Sequence, residues 1–443
     1  MNEDSATVSE ETKQVEEAPT EWEWVESSIW TDSMLEALER GVKGGKWFSL
    51  IDKVYRLNTL KTAWRRVKAN QGAPGIDEVS IEDYERHIES NLKRLSDKLS
   101  EGRYKPRAVR RTWIPKPGRA EKRPLGIPTV EDRVVQMALK MVLEPIFEEG
   151  FASRSYGFRP RRGTKDALRQ VDYMLKEGYR WAVDADLKGY FDTIDHDILM
   201  GEVEKKVTDG RVLALIQSFL ESEVVDGDES YVPEQGTPQG GVISPLLANI
   251  FLDPLDHMME EQGFEMVRYA DDFVVLCRTE EEANEALERV RRWTEKVGLT
   301  LHPEKTKLVD ESTESFDFLG YCFKRGKKYP SKKAKGKFLR KIKEMTPRNS
   351  GDSLATIIID LNRTILGWYE YFKHAYHNVF DSIDGKIRRR LRAILRRRAK
   401  LSGPANTTTD NKRWPNTYFA NKGLLCMAEA RRIDIESLRK ANH

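Results

Sequence analysis

The stretch MVRYADDFVVLC, residues 266–277, decides the fold. Apolar residues flank Ala270-Asp271-Asp272, which predicts two short strands, 266–269 and 273–276, joined into a hairpin by a turn. The two carboxylates then lie at the tip of this hairpin. Because Asp is common in turns, a solvated turn is the alternative interpretation of the pair taken alone.

A second strand, upstream, also ends in a carboxylate. The segment WAVDADL, residues 181–187, alternates apolar and polar positions and runs into Gly189-Tyr190-Phe191. If this strand neighbours the hairpin in one sheet, Asp186 and Asp271 lie side by side. Like charges that close need a cation, and oxygen ligands favour Mg²⁺ or Mn²⁺. Two such ions about 4 Å apart would activate a 3′-hydroxyl and stabilise a leaving pyrophosphate.

Composition limits the class of protein. The chain has 443 residues, with 75 Lys and Arg against 72 Asp and Glu, a length that predicts two to four domains. No run reaches the ~18 apolar residues of a membrane-spanning helix, and the three cysteines are too scattered for a disulfide framework or a zinc pair. We therefore expect a cytoplasmic protein in reducing surroundings, with no membrane partner.

Charge is distributed unevenly along the chain. Residues 1–40 carry 12 acidic and 2 basic residues, whereas residues 321–400 carry 23 basic and 6 acidic residues. The basic segment suits a polyanion, with a solvated charged face as the alternative. The acidic segment 1–40 is typical of a flexible tail, although Trp22, Trp24 and Trp30 would alternatively dock on the body.

Apolar spacing predicts the remaining organisation. We expect a helix from Phe48 onward, one from Ser80 to Gly102 with a Ser80–Asp83 capping box, one over 130–147, and one that Ser244 caps with Pro245 at its first position. The predicted units are an acidic flexible tail (1–40), a helical N-terminal extension (41–107), a fingers and palm domain (108–330), a helical thumb (331–402) and a basic C-terminal segment (403–443).

An ordered series of motifs resembles the reverse transcriptases encoded by group II introns. The series is NQGAPGID (70–77), IPKPG (114–118), RPLGIP (123–128), SYGFRP (155–160), DLKGYFD (186–192), TPQGG (237–241), YADD (269–272), HPEKTK (302–307) and FLG (318–320). No single motif is decisive, but their order and spacing together make coincidence improbable. The resemblance covers nearly the whole chain after the acidic segment.

The resemblance implies an α+β fold of the right-hand polymerase type, with fingers, a palm that has an antiparallel sheet, and an α-helical thumb. It implies that Asp186, Asp271 and Asp272 are catalytic and hold two Mg²⁺ ions, for which Mn²⁺ is a substitute. Asp184, two residues before Asp186, is expected to be a supporting surface carboxylate.

The nucleotide site is implied in the same way. Lys116 and Arg123 would clamp the triphosphate, with contact to template phosphate as the alternative, and Phe191 would exclude a 2′-hydroxyl, with a core aromatic as the alternative. Gln239 would pack against the nucleotide, and Lys305 is a weaker candidate nearby. Gly240 and Gly241 would let the backbone approach the primer and template, with a plain turn as the alternative.

The segment LNRTILGWYEYF, residues 361–372, resembles the thumb or maturase region of the family. The following helix pairs an apolar stripe with an arginine face that would lie along phosphates. The predicted nucleic-acid-binding residues are Arg388, Arg389, Arg390, Arg396, Arg397 and Arg398. Trp414 and Tyr418 would stack on bases or, alternatively, pack under the thumb.

The predicted activity is RNA-directed DNA polymerisation. The expected partners are an RNA template, a DNA primer, deoxynucleoside triphosphates and a group II intron RNA whose splicing and retrohoming the chain would support. The alternatives are a domesticated relative in DNA repair or defence, and a maturase that only binds RNA. Cysteine pairs of the family's His-Asn-His nuclease are not found, so target cleavage is not expected. Sequence does not indicate the oligomeric state.

Overall fold

The computed structural model describes residues 22–42, 44–115, 122–401 and 408–441. Its first part is helical and leads into a β-hairpin. The elements are α1 (Asp32–Arg40), α2 (Ile51–Tyr55), α3 (Leu57–Asn70), α4 (Ile81–Arg86), α5 (Ile88–Ser100), β1 (Val109–Pro115), β2 (Lys122–Ile127), α6 (Val130–Glu148) and α7 (Thr164–Lys176). Helix α6 is buried on nearly all sides, so the surrounding elements pack around it.

The middle of the chain mixes strands and helices. The elements are β3 (Trp181–Asp186), α8 (His196–Glu204), α9 (Gly210–Leu220), β4 (Val224–Asp226), β5 (Glu229–Tyr231), α10 (Ser244–Glu261), β6 (Glu265–Tyr269), β7 (Asp272–Cys277), α11 (Glu280–Lys296) and β8 (Lys307–Asp310). A short 3₁₀ turn, Tyr190–Asp192, follows β3.

The last part is a small sheet followed by helices. The elements are β9 (Phe316–Phe318), β10 (Tyr321–Lys324), β11 (Lys327–Pro330), α12 (Lys332–Met345), α13 (Leu354–Phe372), α14 (Asn378–Arg398), α15 (Thr408–Arg413), α16 (Asn416–Asn421) and α17 (Met427–Ala441). We call α12–α14 the thumb helices. Within the described ranges, no helix has the length and apolar character needed to cross a membrane.

The palm sheet has the strand order β6-β7-β3-β8 and is antiparallel throughout. Alternation along its strands sends side chains to two different cores. Val183 and Val275 pack with α6 and α10 on one face, whereas Ala182 and Val274 pack with α7 and the thumb helices on the other. The sheet is therefore covered on both faces, and its strand ends are left to carry polar groups.

The fingers sheet has the order β2-β1-β4-β5. Strands β1 and β2 form a hairpin in which Ile114 pairs with Arg123, and β4 joins β1 in parallel. Arg123 is thus held on an ordered strand that leads into the start of α6.

Residues 22–40 pack on the body, where the sequence predicted a flexible tail through residue 40. Trp30 is only 1% exposed, its Nε1 donates to the carbonyl of Met141 at 3.2 Å, and its ring meets Trp47 edge-on. The large apolar area of the indole ring favours this burial over solvent exposure. For residues 22–40 the alternative prediction is therefore correct, in which the tryptophans dock on the body.

Three local expectations have different outcomes. The Ser80–Asp83 capping box is confirmed, but the single predicted helix divides at His87 into α4 and α5. The prediction that Ser244 caps α10 is wrong: Ile243 is the N-cap residue, and the Ser244 hydroxyl donates to the carbonyl of Pro238 instead. The helix therefore begins one residue early, and its start is tied to the preceding loop.

Candidate active site

Two neighbouring strands of the palm sheet bring the predicted carboxylates together. Strands β3 and β7 pair antiparallel, with Asp186 directly opposite Asp272. The hairpin turn between β6 and β7 consists of Ala270 and Asp271 alone, so Asp272 is the first residue of β7 and not part of the turn as the sequence predicted. Asp271 therefore stands at the tip, beside the end of β3.

A cavity of 490 Å³ opens at this end of the sheet. The predicted site residues that line it are Asp186, Asp271, Arg123, Phe191, Gln239, Gly240, Gly241 and Lys305. They come from β2, the end of β3, the 3₁₀ turn that follows it, the loop before α10, the β6–β7 turn and the loop before β8. Lys116 lies outside the described residues. One cavity thus holds side chains from motifs up to 182 positions apart, Arg123 to Lys305.

Electrostatics connect the two carboxylates in the cavity. Burial, with a smaller contribution from the charge of Asp186, raises the pKa of Asp271 above its ordinary value, and the charges of Arg123 and Lys305 offset this only in part. Lys305 Nζ lies 2.5 Å from Asp186 Oδ2. Arg123 and Lys305 therefore place positive charge beside this pair of carboxylates, and positive charge of this kind attracts a negatively charged ligand to the cavity.

Asp272 occupies a different environment from the other two predicted catalytic carboxylates. Burial, followed by the charges of Asp184, Asp271 and Asp186, raises its pKa to about 7, and a backbone hydrogen bond from Leu319 opposes this. It is not among the residues that line the cavity. Asp272 therefore faces Asp184 and the loop before β10, behind the cavity.

Asp184 is half-buried rather than a surface carboxylate. Burial, followed by the charge of Asp317, raises its pKa to about 7, with a smaller contribution from Asp186. Together with Asp272, which is also half-buried, it forms an acidic layer behind the cavity. Ionising both carboxylates costs free energy because each repels the other in a poorly solvated place.

The floor of the cavity is aromatic. Tyr190 is fully buried and donates to the carbonyl of Ala248 at 2.6 Å, whereas Phe191 is half-buried and meets it edge-on. The local turn thus points one aromatic ring into the core and leaves the next at the cavity wall. Phe191 has both an exposed edge and core contacts, which are the two roles that the sequence left open.

The glycine-rich loop is close to β2. Gly126 N donates to the carbonyl of Gln239 at 2.6 Å, and a Cβ on Gly240 would lie 2.3 Å from the carbonyl oxygen of Gly126. A side chain at Gly240 is excluded by this contact and by its φ of +115°. Gln239 Nε2 donates to Asp192 at 3.2 Å. The close contact with β2 of the fingers therefore explains why position 240 requires glycine, and no contact with nucleic acid is needed to explain it.

The arginine face of α14 divides into two groups. Arg390 donates to Thr346 and to the carbonyl of Lys343, Arg396 pairs with the buried Asp410 at 2.6 Å, and Arg398 donates to the carbonyl of Asp352. Arg388 is half-buried. Because these bonds are internal, Arg390 and Arg396 stabilise the thumb whatever else they bind.

Arg389 and Arg397 are exposed. Arg389 lines a groove of 380 Å³ between α12 and α14, together with Lys343, Arg348, Lys386 and Arg390. Within the described chain, none of these five groove cations has a salt-bridge partner, although Arg390 donates hydrogen bonds to Thr346 and Lys343. The groove therefore concentrates positive charge in a position that phosphates can reach.

Trp414 packs in the protein interior and is not exposed for stacking on bases. It is 8% exposed within the thumb core, and its carbonyl accepts from Arg392 at 2.9 Å. The packing alternative holds for Trp414, and Tyr418 packs against the same core.

The cavity suits a divalent cation in its donor chemistry. Asp186 and Asp271 offer hard oxygen ligands, and their mutual repulsion favours a bound cation. In the part of the chain that the structure describes, no three His, Cys, Asp or Glu side chains are grouped so that they alone could hold a metal ion. Mg²⁺ commonly binds through one or two carboxylates plus substrate phosphates, and this donor set fits that mode.

Sequence reasoning missed Arg268, which is fully buried beside the turn of Ala270 and Asp271. The signal that was available is an arginine within the otherwise apolar strand MVRY, since a buried arginine needs an acidic partner elsewhere.

Comparisons with known proteins cover most of this chain. A model of the reverse transcriptase (RNA-dependent DNA polymerase) family matches residues 114–323, and a model of the group II intron maturase-specific domain matches residues 335–414. Protein YkfC of Escherichia coli (strain K12) is 32% identical over 353 residues, which cover 70% of this chain and 91% of YkfC.

Two further similarities are less extensive. Group II intron-encoded protein LtrA of Lactococcus lactis subsp. cremoris is 34% identical over 254 residues, which cover 57% of this chain and 41% of LtrA. The chain thus spans about two fifths of LtrA. A solved structure titled as a partial Cas6-RT-Cas1--Cas2 complex has 24% identity and a TM-score of 0.36, covering 56% of this chain and 42% of that one.

Proposed function

Because this chain belongs to the group II intron family of reverse transcriptases and maturases, we propose that it extends a DNA primer on an RNA template by two-metal nucleotidyl transfer. Its fold is that of a right-hand polymerase, its enzyme class is RNA-directed DNA polymerase, and such domains bind template RNA and depend on a metal. The observation that carries the proposal is the cavity shared by Asp186, Asp271, Arg123, Phe191 and Gln239.

The reaction begins with attack of the primer 3′-hydroxyl on the α-phosphate of a deoxynucleoside triphosphate, and pyrophosphate leaves. When bound, two Mg²⁺ ions, or Mn²⁺ as a substitute, would activate the hydroxyl and stabilise the leaving group. Asp186 and Asp271 would hold the ions, because both carboxylates line the cavity, and Asp272 would support the site from behind. Lys305, which now pairs with Asp186, exchanges this partner for phosphate oxygens.

Arg123 binds the triphosphate. It is exposed on β2 at the cavity wall and close enough to lower the pKa of Asp271. A fixed guanidinium there offsets the negative charge that builds on the phosphate oxygens in the transition state. Lys116 has the same role in the proposal by its motif.

Phe191 and Gln239 select and orient the nucleotide. The ring of Phe191 is held from below by Tyr190, so it cannot retreat from a 2′-hydroxyl. Gln239 is held by Asp192 and by the β2 backbone. Its amide is thereby kept at the cavity wall, where the nucleotide packs.

The thumb binds nucleic acid backbone, and group II intron RNA is its second ligand. The maturase-specific match covers α12–α14, and the groove at Arg389 has the charge for phosphates. We assign the exposed Arg389 and Arg397 to this binding and assign Arg390 and Arg396 chiefly to thumb packing. The fingers and palm then correspond to residues 108–330 and the thumb to 331–402.

The experiment is extension of a labelled DNA primer on an RNA template, with deoxynucleoside triphosphates and Mg²⁺. We expect full-length product that requires the template and is lost in EDTA. A no-template reaction and a variant of a distant palm carboxylate, Asp310→Asn at the other end of the β3–β8 pairing, are the controls. Tight RNA binding without any extension would contradict the proposal and favour the maturase-only alternative.

A further inference from the structure

Among the described residues, Arg268 is the most deeply buried charged side chain. It lies on β6, two residues before the turn residue Ala270 and three before Asp271, and is 0% exposed. Its guanidinium points towards α10 and back towards the turn. A charge removed from water in this way needs partners at nearly every donor.

Two residues of α10 supply those partners. Arg268 Nε donates to the two carboxylate oxygens of Asp256 at 2.8 and 2.9 Å, and Nη1 donates to Asn249 Oδ1 at 3.0 Å. Asn249 and Asp256 are seven residues apart, so two turns of helix place them on the same face. The helix that starts at the glycine-rich loop is thus bonded to the catalytic hairpin.

The same guanidinium also bonds the turn. Nη1 donates to the carbonyl of Ala270 at 3.0 Å, and this carbonyl belongs to the peptide group that begins Asp271. Ala270 has a φ of +59°, which a residue with a side chain seldom adopts without support.

The SYGFRP loop closes the turn from the other side. Asn249 Nδ2 donates to the carbonyl of Gly157 at 2.8 Å, and a Cβ on Gly157 would lie 2.2 Å from the amide nitrogen of Ala270. Tyr156 N donates to the carbonyl of Arg268 at 2.9 Å. The turn is therefore fixed by α10 and by this loop at once, through Arg268 and Asn249.

We propose that Arg268 is a positioning residue for catalysis, which, with Asn249 and Asp256, fixes the Ala270–Asp271 peptide so that the Asp271 carboxylate stays beside Asp186. Arg268 does not touch substrate. The inference rests on the proposed function, because it assigns a purpose to the geometry of the same site. A buried ion pair stabilises a fold only weakly compared with an apolar replacement, so fixing this geometry is the better reason for one here.

Arg268→Lys and Asp256→Asn test this role. Lysine retains the charge but cannot bond Asp256, Asn249 and Ala270 in one plane, and asparagine keeps the shape of Asp256. The matched control is Asp209→Asn: Asp209 is as buried as Asp256 (6% against 5%), but accepts from the backbone of Leu50, Ile51, Arg211 and Val212.

Primer extension on RNA gives kcat and KM for the nucleotide, and Mn²⁺ binding to the free protein is measured by electron paramagnetic resonance. We expect Arg268→Lys and Asp256→Asn to lower kcat about 10- to 100-fold and weaken Mn²⁺ binding about 10-fold, with KM within about two-fold. Asp209→Asn should lower the Tm, yet leave kcat and Mn²⁺ binding within about two-fold at temperatures where it is folded.

Two results would overturn the inference: wild-type kcat and Mn²⁺ binding in folded Arg268→Lys and Asp256→Asn, or equal losses in Asp209→Asn. An inactive wild type would contradict the proposed function instead. Mn²⁺ binding would still decide the positioning role, since it does not need extension. If either variant is unfolded at 25 °C, the kcat and Mn²⁺ binding of the other variant are compared with those of Asp209→Asn. Each protein is then measured at the same number of degrees below its own Tm.

Discussion

Arginine is used in opposite ways in the palm and in the thumb. In the palm, Arg268 is 0% exposed and bonds only protein groups. On the thumb helix α14, Arg389 and Arg397 face solvent, while Arg390 and Arg396 bond neighbouring segments. We therefore infer that the arginine-rich face of α14 is not one binding surface, and a single arginine in an apolar strand is accounted for by its buried partners.

This difference separates two tasks. The palm must hold two carboxylates in one geometry, which requires charges fixed by buried partners. The thumb must attract a polyanion, which requires charges that are free to meet phosphates. We therefore expect palm substitutions to change the chemical step and exposed thumb substitutions to change affinity and its salt dependence.

The largest effect is expected from the carboxylates in the cavity. Asp186→Asn should reduce primer extension about 10³-fold, because several kcal/mol of transition-state stabilisation depend on the metal-holding charge. Asp272→Asn should cost less, about 10- to 100-fold, since Asp272 lies behind the cavity and acts through its neighbours. Single-turnover extension by the two variants measures this order, and equal losses would contradict the division between them.

A second prediction concerns selection of the sugar. Phe191→Ala should reduce discrimination against ribonucleoside triphosphates about 100-fold, because removal of the ring admits a 2′-hydroxyl. The ratio of kcat/KM for a deoxynucleotide to that for the matching ribonucleotide is the measurement. Tyr173→Ala, an exposed aromatic on α7, is the control, and an unchanged ratio in Phe191→Ala would make that residue a core aromatic only.

In the thumb, two arginines of one helix should behave differently. Arg390→Gln removes charged hydrogen bonds to Thr346 and Lys343 and should lower the free energy of unfolding by about 1–3 kcal/mol. Arg397→Gln should leave stability within about 0.5 kcal/mol and flatten the plot of log affinity for RNA against log salt by about one unit. Thermal unfolding and a salt titration of both variants check this.

The salt titration also tests the sequence-based prediction that the whole arginine face of α14 binds nucleic acid. If Arg390→Gln flattens the salt slope as much as Arg397→Gln does at equal folded fraction, the face is one binding surface and the division made here is wrong. Replacing all six arginines at once cannot separate these outcomes, because the internal bonds would be lost with the external ones.

The smallest effect concerns pH. The folded-state pKa of Asp184 is about 7, above the ordinary value of 3.8, chiefly because of burial and then of the charge of Asp317. The folded state therefore binds this proton more tightly, and the associated stability is lost as the pH rises from about 4 through 7. In EDTA, Asp184→Asn should raise the Tm relative to wild type by about 2–4 °C more at pH 8 than at pH 5. A constant difference across this range would contradict the assignment.

The site was largely predictable because its residues belong to contiguous motifs. Asp186, Asp271, Arg123 and Gln239 line one cavity, as the family pattern implied. The side on which Asp272 faces was not predictable, because it depends on whether the turn has two or three residues. A turn of Ala270 and Asp271 alone places Asp272 in β7, opposite Asp186.

The remainder depends on contacts that no local pattern records. Arg268 on β6 donates hydrogen bonds to Asp256 and Asn249 on α10. Trp30 donates a hydrogen bond to the carbonyl of Met141, 111 residues away in sequence. Periodicity predicts that a face of α14 is polar, but not that Asp410 will meet Arg396 there. Tertiary partners, rather than propensity, decide these residues.

The most direct test of the account is one comparison of wild type with Asp271→Asn, measuring primer extension on RNA and RNA affinity in the same buffer. The account predicts that extension falls about 10³-fold while the Kd for RNA changes less than about two-fold, because catalysis depends on the palm and affinity on the thumb. Near-normal extension by Asp271→Asn would contradict the account.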